Sequence, residues 1–170
     1  MSRTKKVDYL AGYAAELQQQ ADTLIESGKL PDYLRKRYSG HHSVTSSKAL
    51  YHYTLELKSS YLRQSAPLSK VEYDDKIDVI QNALGLHTHI SRVQGNKLKA
   101  KKEIRIASLF KRTPEPFLRM IVVHELAHIR EKQHNRAFYK LCQHMEPDYH
   151  QLELDLRLYL TCIDRFGPVF

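Results

Sequence analysis

Between His124 and His134 the sequence reads HELAHIREKQH, three imidazoles with a glutamate beside the first. Two histidines four residues apart on a helix present their rings on one face, a turn apart. That pair suits two of the three protein ligands of a catalytic zinc, whose fourth position is left to water or substrate. Glu125 can lean toward that open position and take a proton from the water. The predicted chemistry is hydrolysis, with a metal-activated water attacking a scissile bond. Ile121, Val122 and Val123 run into the motif, which predicts a buried helix, and a buried charged turn requires a metal or partners.

The spacing leaves the third ligand open. His134 lies six residues beyond His128, and an unbroken helix would carry it about 240° around the axis. The chain therefore has to leave the helix within IREKQ and fold back. Metzincins share this spacing but place glycine where Glu131 stands, which argues against that class. Glu146, Asp148 and Glu153 are rival ligands at a distance that suits a downstream carboxylate. The other histidines read as less specific: His41 and His42 as solvated loop residues, His87 and His89 as a structural pair on one strand face. Cys142 falls on the apolar side of its helix with Phe138 and Leu141 and reads as buried packing. His144, His150, Tyr139 and Tyr149 could each polarise a substrate oxygen, and their positions in sequence do not choose among them.

A basic stretch precedes the motif helix: KLKAKKEIRIASLFKR, with Lys97, Lys99, Lys101, Lys102 and Arg105, and with Arg92 just upstream. The whole chain carries 27 Lys and Arg against 19 Asp and Glu, a net charge of +8. Such an excess attracts polyanions and nucleotides, so these six residues are candidate anion contacts. A solubilising surface, or edge lysines that prevent aggregation, is the alternative. The expected substrate is anionic: a nucleotide, or a protein near nucleic acid.

These residues need elements to hold them. Val7, Leu10, Ala14, Leu17, Ala21 and Leu24 form a helical stripe that Gly28 should stop. A short helix over PDYLRKRY follows, opened by Pro31. A polar loop leads to a helix capped by Ser46 or Ser47, with Leu50, Thr54, Leu57 and Tyr61 along one face and Pro67 as its limit. HTHISRV and KEIRIASLF are short and β-branched and read as strands joined by the turn QGNKLKAK. The motif helix should start with Thr113 as N-cap and Pro114 at its first position. NRAFYKLCQHM reads as another helix. LELDLRLYL alternates like a strand, but leucine favours helix and Asp148 can cap one, so helix is the reading.

The expected architecture is α+β, one domain over residues 1–170, with a helical part over 1–66 and a sheet with the metal-binding helices over 67–170. Two cysteines are too few for a disulfide framework, no signal peptide opens the chain and no apolar run spans a membrane, which together predict a cytoplasmic protein.

VVHELAHIREKQHNRAFYKL resembles the YgjP-like metal-dependent hydrolases, relatives of the WLM and SprT-like metallopeptidases. The signature is His-Glu-Leu-x-His, five residues, His, then three residues and an aromatic pair, here His124, Glu125, His128, His134, Phe138 and Tyr139. ALGLHTHISRVQG, EIRIASLF and PEPFLRMIVVHELAH extend the likeness. The resemblance implies a zincin-like domain and a three-histidine zinc site with His134 opening the next helix. It also implies a strand beside the active-site helix that lines the cleft. One departure stands out: broader relatives carry Arg-Trp-Gly-Ser-Cys where this chain has Arg92-Val93-Gln94-Gly95-Asn96, and the chain has no tryptophan. If that segment meets substrate, the substrate class differs from that of the peptidases. The first expectation is a zinc-dependent, metallopeptidase-like hydrolase with Glu125 as general base and then acid. The second is a nucleotide pyrophosphatase at the same site. The third is a nucleic-acid-binding protein with a structural zinc, which would need four closed ligands and would tolerate loss of Glu125.

Overall fold

The computed structural model describes residues 8–77, 89–94 and 97–170, with backbone only at 89–94 and 97–101. His87, Gly95 and Asn96 lie outside these residues, as do the side chains of His89, Arg92, Lys97, Lys99 and Lys101.

Three helices come first: α1 (Ala15–Glu26), α2 (Leu30–Arg37) and α3 (Ser47–Tyr61). The first is shorter than its stripe predicts, because residues 9–12 form a turn, yet Leu10 is still buried. Gly28 follows α1 with φ of 70°, the left-handed backbone that a residue without Cβ adopts at least cost. In α2 Pro31 sits in the first turn as expected, where its missing N–H costs nothing. The Ser46 side chain caps α3 by accepting from Ala49 N at 3.1 Å. That helix ends at Tyr61, well short of Pro67.

In the loop before α3 His41 is exposed, as expected of a solvated residue, whereas His42 is not simply solvated. His42 Nδ1 accepts from Val44 N at 3.0 Å, so its Nε2 is the donor to Phe110 O at 2.6 Å. His42 is a strut, and its two bonds assign the tautomer.

Strand β1 (Leu68–Asp74) was not legible in the sequence, because LSKVEYD exposes or half-buries most of its side chains. It pairs in parallel with β3 (Lys97–Ala107), which pairs antiparallel with β2 (His89–Gln94), giving the order β1-β3-β2. β3 starts inside the predicted QGNKLKAK turn, and Ser108–Arg112 form a 3-10 turn where a strand was expected. Ile104 and Ile106 are fully buried on one face of β3.

Helix α4 (Glu115–Ala127) crosses the core, with every residue from Met120 to Ala127 buried. Its start corrects the cap prediction: Thr113 Oγ1 donates to Phe110 O and Pro114 O, and Pro114 stands just before the first helical residue. Helix α5 (Arg136–Met145) is capped by Asn135 Oδ1, which accepts from Phe138 N at 2.9 Å. The leucine-alternating tail is helix α6 (Tyr149–Phe166). Asp148 precedes it without a side-chain cap bond.

One hydrophobic cluster draws on residues from Tyr9 to Val169. The architecture is α+β, with helices ahead of a small sheet and the motif helix buried between sheet and tail. Among the described residues no helix is long and apolar enough to cross a membrane.

Candidate metal centre

Helix α4 delivers His124 and Glu125 from its last turn, and His128 stands at its C-cap. The chain then turns through Ile129 N to Leu126 O, Arg130 N to Ala127 O and Glu131 N to Ala127 O, at 3.0–3.1 Å. Among the described residues no non-glycine has positive φ, so this fold-back needs no glycine at Glu131. The turn carries His134 back to the helix end, immediately before the Asn135 cap of α5.

The three imidazoles converge. His128 Nε2 lies 3.2 Å from His124 Nε2 and 3.0 Å from His134 Nε2, and the remaining pair is 3.3 Å apart. Ligands on a tetrahedral ion with bonds of about 2.0–2.1 Å stand about 3.3 Å from one another. The donor set therefore fits a zinc-type ion at three corners of a tetrahedron. Among the described residues, no other set of three His, Cys, Asp or Glu side chains gathers so closely. Of the candidate third ligands, the geometry brings in His134. Glu146 instead pairs with Arg119 at 2.6 Å, and Glu153 lies by Arg157 at 3.4 Å.

The outer nitrogens are held as well. His128 Nδ1 donates to Glu131 O at 2.9 Å, which directs the Nε2 lone pair inward. His124 Nδ1 lies 2.7 Å from the Tyr149 hydroxyl. Phe138 forms a floor under all three rings, with centroid distances of 5.0, 4.6 and 4.9 Å to His124, His128 and His134. The aromatic residue four positions past His134 thus backs the site from the protein side, where His124 and His128 are buried, while His134 stays exposed.

Glu125 is fully buried, and desolvation pushes its carboxyl well above the ordinary range. A cation at the histidines would oppose that shift and favour the carboxylate.

The basic residues divide. Lys102 Nζ donates to Ile129 O at 2.7 Å, directly after His128. Its pKa is lowered by burial and by the neighbouring charges of Lys132 and Lys58. Those two lysines were not singled out from the sequence, since only the fold brings them beside Lys102. Arg105 is surrounded by Asp74, Glu72 and Glu103 at 3.4, 3.8 and 3.9 Å, so its charge is already matched. Arg92 lies on β2 and Lys97, Lys99 and Lys101 on β3, with Arg92 paired to Lys99 across the ladder.

Of the four residues considered for polarising substrate, Tyr149 is fully buried behind His124, which makes it a support for the ring. Tyr139 and His150 stack beside it, 5.4 Å apart, and His144 lies against Tyr61, away from the cluster. Cys142 is buried as expected.

A small α+β fold with a buried HExxH helix and a three-histidine cluster defines the class, a metal-dependent hydrolase. The profile of the YgjP-like metallopeptidase domain matches residues 72–159. The chain is also 61% identical over 153 residues to the UTP pyrophosphatase of Escherichia coli, which spans 90% of this chain and 92% of that protein. The chain belongs to the YgjP-like family. No solved structure shows a significant match to it.

Proposed function

We propose that this hydrolase is a nucleoside triphosphate pyrophosphatase acting on UTP, at a zinc held by His124, His128 and His134. The observation that carries the reading is the 61% identity, over nine-tenths of the chain, to a protein named UTP pyrophosphatase. Sequence reasoning put a peptidase-like reaction first and the pyrophosphatase second, and this likeness reverses that order. The net charge of +8 agrees with a polyphosphate substrate.

Zinc in this site would supply Lewis acidity, polarising a phosphoryl oxygen and making water nucleophilic at neutral pH. Glu125 takes the proton of the attacking water and returns one to the leaving phosphate oxygen. Its burial keeps bulk water from competing for that proton. Lys102, with Lys58 and Lys132 nearby, forms the cationic ground for the phosphates. Arg92, Lys97, Lys99 and Lys101 add charge on the neighbouring strands, whereas Arg105, matched by three carboxylates, is the weakest of the six candidates. The hydrophobic cluster from Tyr9 to Val169 supports treating residues 1–170 as one domain, and a free nucleotide substrate fits the cytoplasm.

The test is pyrophosphate release from UTP by zinc-loaded protein. Glu125→Gln should keep its metal and lose about 100- to 10,000-fold in turnover, the usual range for removing a general acid–base. Cleavage of unstructured peptides, with UTP left intact, would restore the peptidase reading.

A further inference from the structure

Three lysines from three elements meet beside the turn that follows His128. Lys102 belongs to β3 and shares the face of Ile104 and Ile106. Its side chain therefore points toward α4, and its ammonium donates to Ile129 O at 2.7 Å. Lys132 stands in the same turn, three residues past Ile129. Lys58 comes from the last turn of α3, where its ammonium donates to Ser65 O at 3.4 Å. Ser65 leads into β1, whose first residue, Leu68, is paired with Lys102 across the sheet.

No counter-charge explains the gathering. Among the described residues none of the three lysines pairs with a carboxylate, and Glu131, next to Lys132 in the chain, forms no ion pair either. An ammonium has three N–H groups to place. Lys102 commits one to a backbone carbonyl and Lys58 makes one long bond, so most of the donors face no protein acceptor. Lys58 and Lys102 are also half-buried, unlike lysines that only keep a surface soluble. The repulsion registers at Lys102, whose pKa is lowered first by burial and further by Lys132 and Lys58. Like charges held together at a cost are offset when an anion joins them.

The fitting ligand is a compact polyanion that accepts several N–H bonds and also reaches the histidine cluster, since Ile129 directly follows His128. We propose that Lys58, Lys102 and Lys132 hold the β- and γ-phosphates of the triphosphate and keep hold of them as pyrophosphate leaves. The subsite rests on the nucleotide reading above and adds to it which phosphorus is attacked. With the last two phosphates on the lysines, the α-phosphorus is the one left at the histidines beside Glu125. The water oxygen bonds to that phosphorus, and the bond to the α–β bridging oxygen breaks with its electron pair staying on pyrophosphate. One water proton passes through Glu125 to the leaving oxygen, and the other stays with the UMP phosphate. Cations placed on the leaving group stabilise the charge that develops there. A diphosphate is one phosphate short of filling both places, so the lysines also select for chain length.

The experiment has two arms, both on the zinc-loaded full chain. In the first, calorimetry with inorganic pyrophosphate reads the subsite without turnover. Lys58→Met and Lys132→Met should each weaken binding by roughly fivefold, the effect of losing one partly exposed charge partner. Lys48→Met removes the same charge from the exposed first turn of α3 and should leave the affinity unchanged. The pull of the metal on the anion is common to all these proteins and drops out of the comparison. An equal loss in Lys48→Met, or no loss in the other two, overturns the subsite. In the second arm UTP is hydrolysed in water carrying heavy oxygen. The label should appear in UMP and be absent from pyrophosphate. Label in pyrophosphate, or release of orthophosphate in its place, overturns the assignment of the lysines to the β- and γ-phosphates. Absence of turnover, with lysine-dependent pyrophosphate binding intact, overturns the nucleotide reading and leaves the anion site standing.

Discussion

The Tyr149 hydroxyl lies 2.7 Å from His124 Nδ1, and the two rings are nearly parallel, 18° apart with centroids separated by 6.4 Å. Tyr149 opens α6 and His124 stands in the last turn of α4, so the contact ties the tail helix to the metal centre across 25 residues of chain. With Nε2 facing the cluster, Nδ1 carries the proton and the tyrosine oxygen accepts it. The tautomer of His124 is thereby set by a residue from another element.

Tyr149→Phe should weaken zinc binding by about 10- to 100-fold, the usual consequence of removing an outer partner of a metal-bound histidine. Circular dichroism should remain native, because the ring stays in its buried place. Competition with a chromogenic chelator measures the affinity, and an unchanged value would show that the hydroxyl does not orient His124.

His134→Ala should bind zinc far more weakly than the roughly one ion per chain expected of wild type, since an open site needs three protein ligands. Metal content by elemental analysis after gel filtration gives the answer. Full retention there, with loss in Glu146→Ala or Glu153→Ala, would move the third ligand to a carboxylate.

Asp155 is fully buried on α6 and joins it to α2. Its oxygens accept from Tyr38 at 2.5 Å, Tyr33 at 3.0 Å, Gln151 at 3.1 Å and Arg37 at 3.2 Å. Asp155→Ala removes the centre of that network and should cost about 3 kcal/mol or more in urea unfolding. A loss below about 1 kcal/mol would mean that water replaces the carboxylate readily.

Burial pushes the Cys142 thiol up to about 12. In the unfolded chain it ionises near 8.5, so above that pH only the unfolded state releases this proton. The stability due to this group is intact below about 8.5 and falls by about 1.4 kcal/mol per pH unit above it. Unfolding at pH 8 and pH 10 should show a steeper decline for wild type than for Cys142→Ala. At pH 8 iodoacetamide should leave Cys142 unlabelled until denaturant is added, and rapid labelling of the native protein would contradict its burial.

How much could be read in advance differs by element. His124, Glu125 and His128 needed only helical periodicity, which is a local property of backbone geometry. Ser46 as a cap, Pro31 in a first turn and Gly28 as a stop are equally local, since each acts within a few residues of itself. The departure from the helix after His128 was also legible, because otherwise His134 could not return. β1 was hidden, since its charged residues lie half-buried against Arg105 and only a pairing across the sheet makes LSKVEYD a strand.

Tertiary structure decided the rest, through contacts between residues far apart in the chain. Local spacing left His134, Glu146, Asp148 and Glu153 as rival ligands, because direction of return is set by packing and not by count. Phe138 under the three rings and Arg119 holding Glu146 separate them. The basic residues looked alike as a run of charges, yet Lys102 reaches the loop after His128 while Arg105 is enclosed by carboxylates from its own and a neighbouring strand. Tyr149 comes to stand behind His124 only when α6 docks against α4, since a hydrogen bond depends on distance in space and periodicity reports only distance along the chain.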